Sequence, residues 1–153
     1  MELPVVNHPD YEAKIGDDHK FPIKKFGELA KYLKKQKIVK EFHIPEECSF
    51  DTLTQVHSIN YVNKIKNKTL EKEKVKKIGF PLVDSVVRRS LVATGGTVLA
   101  SKLALNFGIA CNTAGGSHHA NYDEGAGFCV FNDVAVGAKY LTSRGLAQKI
   151  LIV

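Results

Sequence analysis

Arginine is scarce in this chain. Only Arg88, Arg89 and Arg144 occur, so lysine carries nearly all of a formal net charge of +6. Glutamate and aspartate are interleaved through the lysine-rich stretches, the pattern of solvated helix faces, and no nucleic-acid partner is expected. Cysteine is equally sparse. Cys48, Cys111 and Cys129 show no zinc-site spacing, and three thiols do not make a disulfide scaffold at this size. No apolar run is long enough to span a membrane. The stretch from Met1 to Asp10 lacks the charged start and apolar run of a signal peptide, so a soluble, reduced, cytoplasmic setting is expected. There is no internal repeat and no low-complexity tract. Gly95-Gly96 and Gly115-Gly116 fall outside the GxGxxG and GxxxxGK[ST] patterns, which excludes the usual phosphate loops.

What is present is the material of one domain. The chain has 153 residues, 44% of them apolar, enough for a single core. "LPVV" at 3–6 reads as a strand. Pro22 opens a helix whose apolar face carries Phe26, Leu29, Tyr32 and Leu33. Residues 38–44 alternate imperfectly as a strand. Ser49 is positioned to cap a helix over 50–57, and 59–67 continues as helix. The charged run 64–77 is either a loop or an exposed helix. Near-helical spacing of Val83, Val86, Val87, Leu91, Val98, Leu99 and Leu103 predicts a long helix over 82–105. Gly95-Gly96 inside it marks either a close packing contact or a break.

The last third runs helix, strand (108–114), loop, helix (133–145, capped by Asn132 or Asp133) and a wholly apolar strand, "KILIV", at 149–153. That rhythm predicts an α/β fold with a parallel sheet. Ligand sites in such folds lie beyond the carboxyl ends of strands. The loop after 108–114 holds His118 and His119 between glycine-rich flanks. Neighbouring side chains diverge on regular elements, so two rings can face one small target only on irregular backbone. An imidazole pair suits acid–base hydrolysis: one takes a proton from water, the other gives one to a leaving amine. Gly125 and Gly127 let the loop approach a ligand closely.

The block "GGSHHANYDEGAGFCVFNDVAVGAKYL" resembles the signature of the zinc-dependent histone deacetylase superfamily. It is most similar to bacterial and class IV-like members, the acetoin-utilisation and acetylpolyamine-amidohydrolase relatives. The resemblance extends back through residues 78–116 and, more weakly, through "LTQVHSINYV" and "DDHKFPIKKF". It implies the N-terminal part of a three-layer α/β/α arginase/deacetylase-like fold with a parallel sheet. It also implies an activity, removal of acyl groups from lysine or amine substrates. By this match His118 is the general base or electrostatic partner, and His119 carries the proton to the leaving amine. Gly127 offers its carbonyl to the substrate amide, and Phe128 walls an acyl-lysine channel. Cys129 and Asn132 pack or fix the loop, and Lys20 lies near the foot of the pocket. Where eukaryotic members carry an aspartate at the channel rim, this sequence has Phe80 and Pro81, with Asp84 further on.

In that family a strand like "KILIV" runs into an Asp-x-Asp-x-His segment that supplies zinc ligands. This chain stops at Val153 and has no such segment. Residues 1–153 are therefore expected to be an incomplete deacetylase-like domain, truncated at its C-terminus. No tight zinc binding and no useful hydrolysis are expected of the chain alone. A complementing C-terminal segment or self-association is the expected partner. The alternative is a non-catalytic remnant or binding module without zinc ligands.

Overall fold

The computed structural model describes residues 3–153. At its centre lies β1 (Val5–Val6), whose two side chains point to opposite faces. Both are buried, at 3% and 0% exposure, so both faces of this strand are covered. Parallel to it runs β2 (Cys111–Asn112), with Val5 opposite Cys111 and Val6 opposite Asn112. On the other edge of β1, His43 makes a single parallel bridge to Val6, its amide donating to the Val5 carbonyl at 2.9 Å. The expected strand over 38–44 is thus reduced to one bridge. Ile38 and Ile44 are half exposed and His43 is exposed, so neither alternating set of the segment is buried.

Among the described residues, five α-helices accompany the longest one, which itself packs on the strands. α1 (Lys25–Lys35) follows Pro22, and Phe26 is its buried residue. α2 (Phe50–Leu53) is capped by Ser49, which accepts from the Thr52 amide. α3 (Ile59–Lys66) is capped in the same way by Ser58. The charged run is neither all loop nor all helix: α3 ends in it, a turn follows, and α4 (Lys72–Ile78) completes it with Ile78 buried.

α5 (Asp84–Phe107) runs unbroken through Gly95-Gly96 and packs against both strands and α6 (Asp133–Ser143). The two glycines are contact points. A Cβ on Gly95 would collide with the Glu46 carbonyl, and one on Gly96 with the Tyr11 hydroxyl. Val86, Val92 and Val136 close the core between these helices.

Residues 149–153 correct the expectation of a buried strand. They pair with no strand among the described residues, and Leu151, Ile152 and Val153 are exposed. Apolar composition alone does not make a strand. The backbone needs an adjacent strand edge to take its N–H and C=O groups, and none lies alongside. No helix is long and apolar enough to cross a membrane among the described residues.

Candidate active site

The loop that carries the histidines is pinned at both ends by polar side chains, half-buried at Asn112 and Asn132 and buried at Asp133. Asn112, the last residue of β2, donates to the Ala93 carbonyl at 3.1 Å and to Thr97 Oγ1 at 3.0 Å, and accepts from the Tyr11 hydroxyl at 2.8 Å. Asp133, buried in the first turn of α6, accepts from the Gly116 amide at 3.1 Å, the Ser117 amide at 2.6 Å and the Thr97 hydroxyl. Burial raises the Asp133 carboxyl above its ordinary range, while these three donors pull against that shift. Asn132 caps α6 through Ala135 N and donates to the His118 carbonyl at 3.3 Å and the Ala120 carbonyl at 3.2 Å.

A third histidine completes the frame. His57 is fully buried. It accepts from the Asn132 amide on Nε2 at 3.0 Å and donates from Nδ1 to the Asn121 carbonyl at 2.8 Å. An amide can only donate, so this pairing fixes the tautomer. Burial lowers the His57 pKa below its usual value and keeps the ring neutral.

Between these anchors the rings of His118 and His119 lie 4.1 Å apart, centroid to centroid, tilted by 42°. His118 Nδ1 sits 3.0 Å from the Gly116 carbonyl, which can only accept, so Nδ1 donates and Nε2 stays free. Both residues are exposed, yet both border one cavity of about 600 Å³. Phe21, Phe26, Arg89, Gly127 and Phe128 border it too.

The wall opposite the histidines is a tight turn. Ala126 and Cys129 exchange backbone hydrogen bonds at 3.1 and 2.8 Å, and the residues between them, Gly127 and Phe128, have φ of 53° and 66°. Two successive positive φ values define a type I′ turn, which Gly enters freely and Phe does not. The strain at Phe128 is of order 1–2 kcal/mol. It persists because the surroundings over-determine it. The Gly127 amide donates to Lys77 O at 3.1 Å and the Phe128 amide to Ile78 O at 2.7 Å, both at the end of α4. The Phe128 ring packs on Phe21 and Phe80, at 5.0 and 5.2 Å. A Cβ on Gly127 would stand 3.0 Å from His119 Cδ2, so glycine lets the wall approach the ring.

The structure brings His118, His119, Gly127 and Phe128 to one cavity. Lys20 stands beside it, Nζ 5.4 Å from the Phe128 ring centre. Cys129 is buried, with Sγ 3.6 Å from the Gly127 carbonyl. Phe80 is buried and stacked on His19, and Asp84 opens α5 in an ion pair with Lys68.

Sequence reasoning missed His57 and Arg89. His57 left no trace beyond its place in "LTQVHSINYV". Arg89 left one: a charge three residues from Val86 and four from Ala93, on the buried stripe of α5. Catalytic zinc takes about three protein ligands. No cluster of three His, Cys, Asp or Glu side chains able to hold a metal exists among the described residues. Asp133, the one buried carboxylate nearby, is committed to three donors. The residues present do not fit a catalytic zinc by themselves.

Residues 19–153 match the histone deacetylase domain. An uncharacterized protein of Picosynechococcus sp. is 43% identical over the whole chain, which spans 52% of that protein. Histone deacetylase 2 of Arabidopsis thaliana is 31% identical over 88% of the chain, and acetoin utilization protein AcuC of Staphylococcus aureus is 29% identical over 71%. The chain spans 37% and 30% of those two. The crystal structure of an HDAC homolog from Aquifex aeolicus superposes with a TM-score of 0.76 at 24% identity, over 95% of this chain and 42% of that one. The fold is therefore the deacetylase fold, of which this chain spans less than half. Because the domain match takes in residues 19–153, most of its length, the chain belongs to the histone deacetylase family.

Proposed function

We propose that residues 1–153 are part of one deacetylase domain and supply the acid–base half of a zinc-dependent amide hydrolase acting on acyl-lysine or acetylated amines. The single observation that carries this reading is the pair of imidazoles, 4.1 Å apart, bordering the cavity that Phe128 walls. His118 takes a proton from the attacking water, whose oxygen adds to the amide carbon. His119 gives a proton to the nitrogen as the C–N bond breaks, leaving a carboxylate and an amine. Gly127 holds the substrate amide through its carbonyl. The zinc of this family needs ligands that the described residues do not assemble, so its ligands come from polypeptide outside this chain. Three free cysteines agree with a reducing, cytoplasmic setting.

In the complete polypeptide, His119→Ala should lower kcat on an acetyl-lysine peptide by about 10²- to 10⁴-fold with unchanged thermal stability. Activity within a few-fold of the parent rejects the assignment. The missing donor cluster also favours a second reading, a binding module without catalysis. Titrating zinc into the 153-residue chain alone should give no tight stoichiometric complex, and tight one-to-one binding would overturn that expectation. Adding the C-terminal remainder of a relative's domain should then restore zinc-dependent hydrolysis under the first reading and leave the mixture silent under the second.

A further inference from the structure

The positive charge of this chain is unevenly spread. Residues 20–40 hold eight lysines against one acid, Glu28, a net charge of +7. The whole chain carries +6, so everything outside this segment sums to −1. The other lysine-rich run, 64–77, is neutralised where it stands. Lys64 pairs with Glu71, Lys68 with Asp84, Lys74 with Asp123, Lys76 with Glu73 and Lys77 with Glu124. Interleaved acids therefore account for that basic stretch and not for 20–40.

Of the eight lysines in 20–40, Lys24 alone makes an ion pair among the described residues, with the exposed Asp17 at 3.2 Å. Three more are turned onto aromatic rings. Lys20 Nζ lies 5.4 Å from the Phe128 ring centre, Lys25 Nζ 4.9 Å from that of Phe21, and Lys34 Nζ 5.3 Å from that of Phe42. Lys31, Lys35, Lys37 and Lys40 are exposed, and none of them pairs with a carboxylate among the described residues.

Helix geometry lines some of these charges up. Lys24, Lys31 and Lys35 are seven and four residues apart, so they share one face of α1 and its N-terminal cap, spanning about 16 Å. Glu28 is on that face too, which still carries three positive charges to one negative. Along the neighbouring line stand Leu29 and Tyr32, 41% and 56% exposed. The far side of the helix is sealed, with Phe26 buried and Ala30 and Leu33 half-buried.

A line of lysines beside an apolar line calls for a partner that brings both carboxylates and apolar groups. A lipid surface needs the apolar face of a helix turned outward, and that of α1 is turned into the core. A sugar–phosphate backbone offers nothing to Leu29, and 20–40 has no arginine to fork onto phosphate. An extended polypeptide covers this length with about five residues and sends alternate side chains to opposite sides. Glutamates on one side then meet the lysine line, and apolar residues on the other meet Leu29 and Tyr32.

We propose that α1 is a docking surface for an extended acidic segment of a partner protein. Its carboxylates lie against Lys24, Lys31 and Lys35, and its apolar side chains against Leu29 and Tyr32. No step of hydrolysis enters into this contact. A segment seated there passes beside the histidine cavity, which Leu29 also borders.

The test measures binding to the full 153-residue chain, so a protein that hydrolyses nothing still answers it. The probe is an end-blocked, dye-labelled peptide alternating glutamate with leucine and phenylalanine, followed by fluorescence anisotropy. It should bind saturably at about 25 mM salt and at least about tenfold more weakly at about 300 mM. The triple change Lys24→Gln, Lys31→Gln, Lys35→Gln should weaken binding about tenfold with an unchanged urea midpoint. Lys102→Gln, Lys139→Gln, Lys149→Gln removes the same charge from exposed sites elsewhere and should weaken it less than about twofold. Leu29→Ser with Tyr32→Ser should also weaken it, and polyglutamate of equal length should bind less tightly than the mixed peptide. No saturable binding, equal losses in the two triple variants, or polyglutamate as tight as the mixed peptide overturns the proposal. Tighter binding of single-stranded DNA or phosphatidylglycerol vesicles through the same three lysines overturns it too, since the occupant would then be nucleic acid or lipid. Should the first triple variant not fold, Lys31→Glu alone decides, and unchanged affinity there sinks the proposal. An active deacylase whose α1 ignores the peptide defeats this inference alone.

Discussion

Two stretches of this chain, the loop after β2 and the apolar run at 149–153, fare differently. The loop from Thr113 to Asn132 has almost no regular structure, yet Asn112, His57, Asn132 and Asp133 hold it through side-chain hydrogen bonds at both ends. The apolar stretch 149–153 has the composition of a core strand, yet it is exposed and unpaired among the described residues. A loop carries its own partners, since short polar side chains satisfy nearby backbone groups wherever those fall. A parallel strand carries none. Its partners are other strands, often far along the chain.

Removing one anchor of the loop tests that contrast most severely. Asp133→Ala strips the Gly116 and Ser117 amides and the Thr97 hydroxyl of their acceptor at once. The expected loss is about 2–4 kcal/mol in urea unfolding. Asp133→Asn keeps one carbonyl oxygen but turns an amide toward one of the donors, and should lose about half as much. A loss below about 0.5 kcal/mol for the alanine variant would mean that the loop is held by packing alone.

His57 offers a finer test, because its anchoring depends on pH. The folded state keeps its pKa below the ordinary 6.5 through burial. As pH falls through about 6.5 the unfolded chain takes up a proton that the folded ring refuses, so stability drops with acidity until the folded pKa is reached. His57→Leu removes both hydrogen bonds and should cost about 2–3 kcal/mol at pH 7.5. The difference between parent and variant should shrink at pH 5.5, because only the parent carries this penalty. A difference that is constant or grows on acidification would show that His57 is not held neutral.

The uneven legibility of the sequence has the same root. Helices announced themselves where caps and periodicity are local, as at Ser49 and along α5. The histidine pair, Gly127 and Phe128 were legible as a group because they sit close in sequence in a recognisable block. His57 was not, because its partners Asn121 and Asn132 lie 64 and 75 residues away and nothing in its neighbours signals burial. Arg89 was hidden by its own chemistry, since a charged residue on a helix reads as surface unless its stripe position is weighed. The imperfect alternation over 38–44 yields a single bridge at His43 rather than a strand, with Ile38 and Ile44 both exposed.

The smallest expected effect falls at the exposed end of the comparison. Leu151 and Ile152 contribute nothing to the core, at 86% and 62% exposure, and a double Leu151→Lys, Ile152→Lys change should leave the urea midpoint within about 0.5 kcal/mol of the parent. Its effect should appear in association instead. Exposed apolar runs drive self-association, and two added charges oppose it, so light scattering should report a more monomeric protein at the same concentration. A destabilisation of about 2 kcal/mol would reverse the contrast, since it would require the stretch to be packed against something in solution. The pinned loop should be indifferent to that change, because none of its anchoring hydrogen bonds reaches past Asp133 except the cap to Ala135.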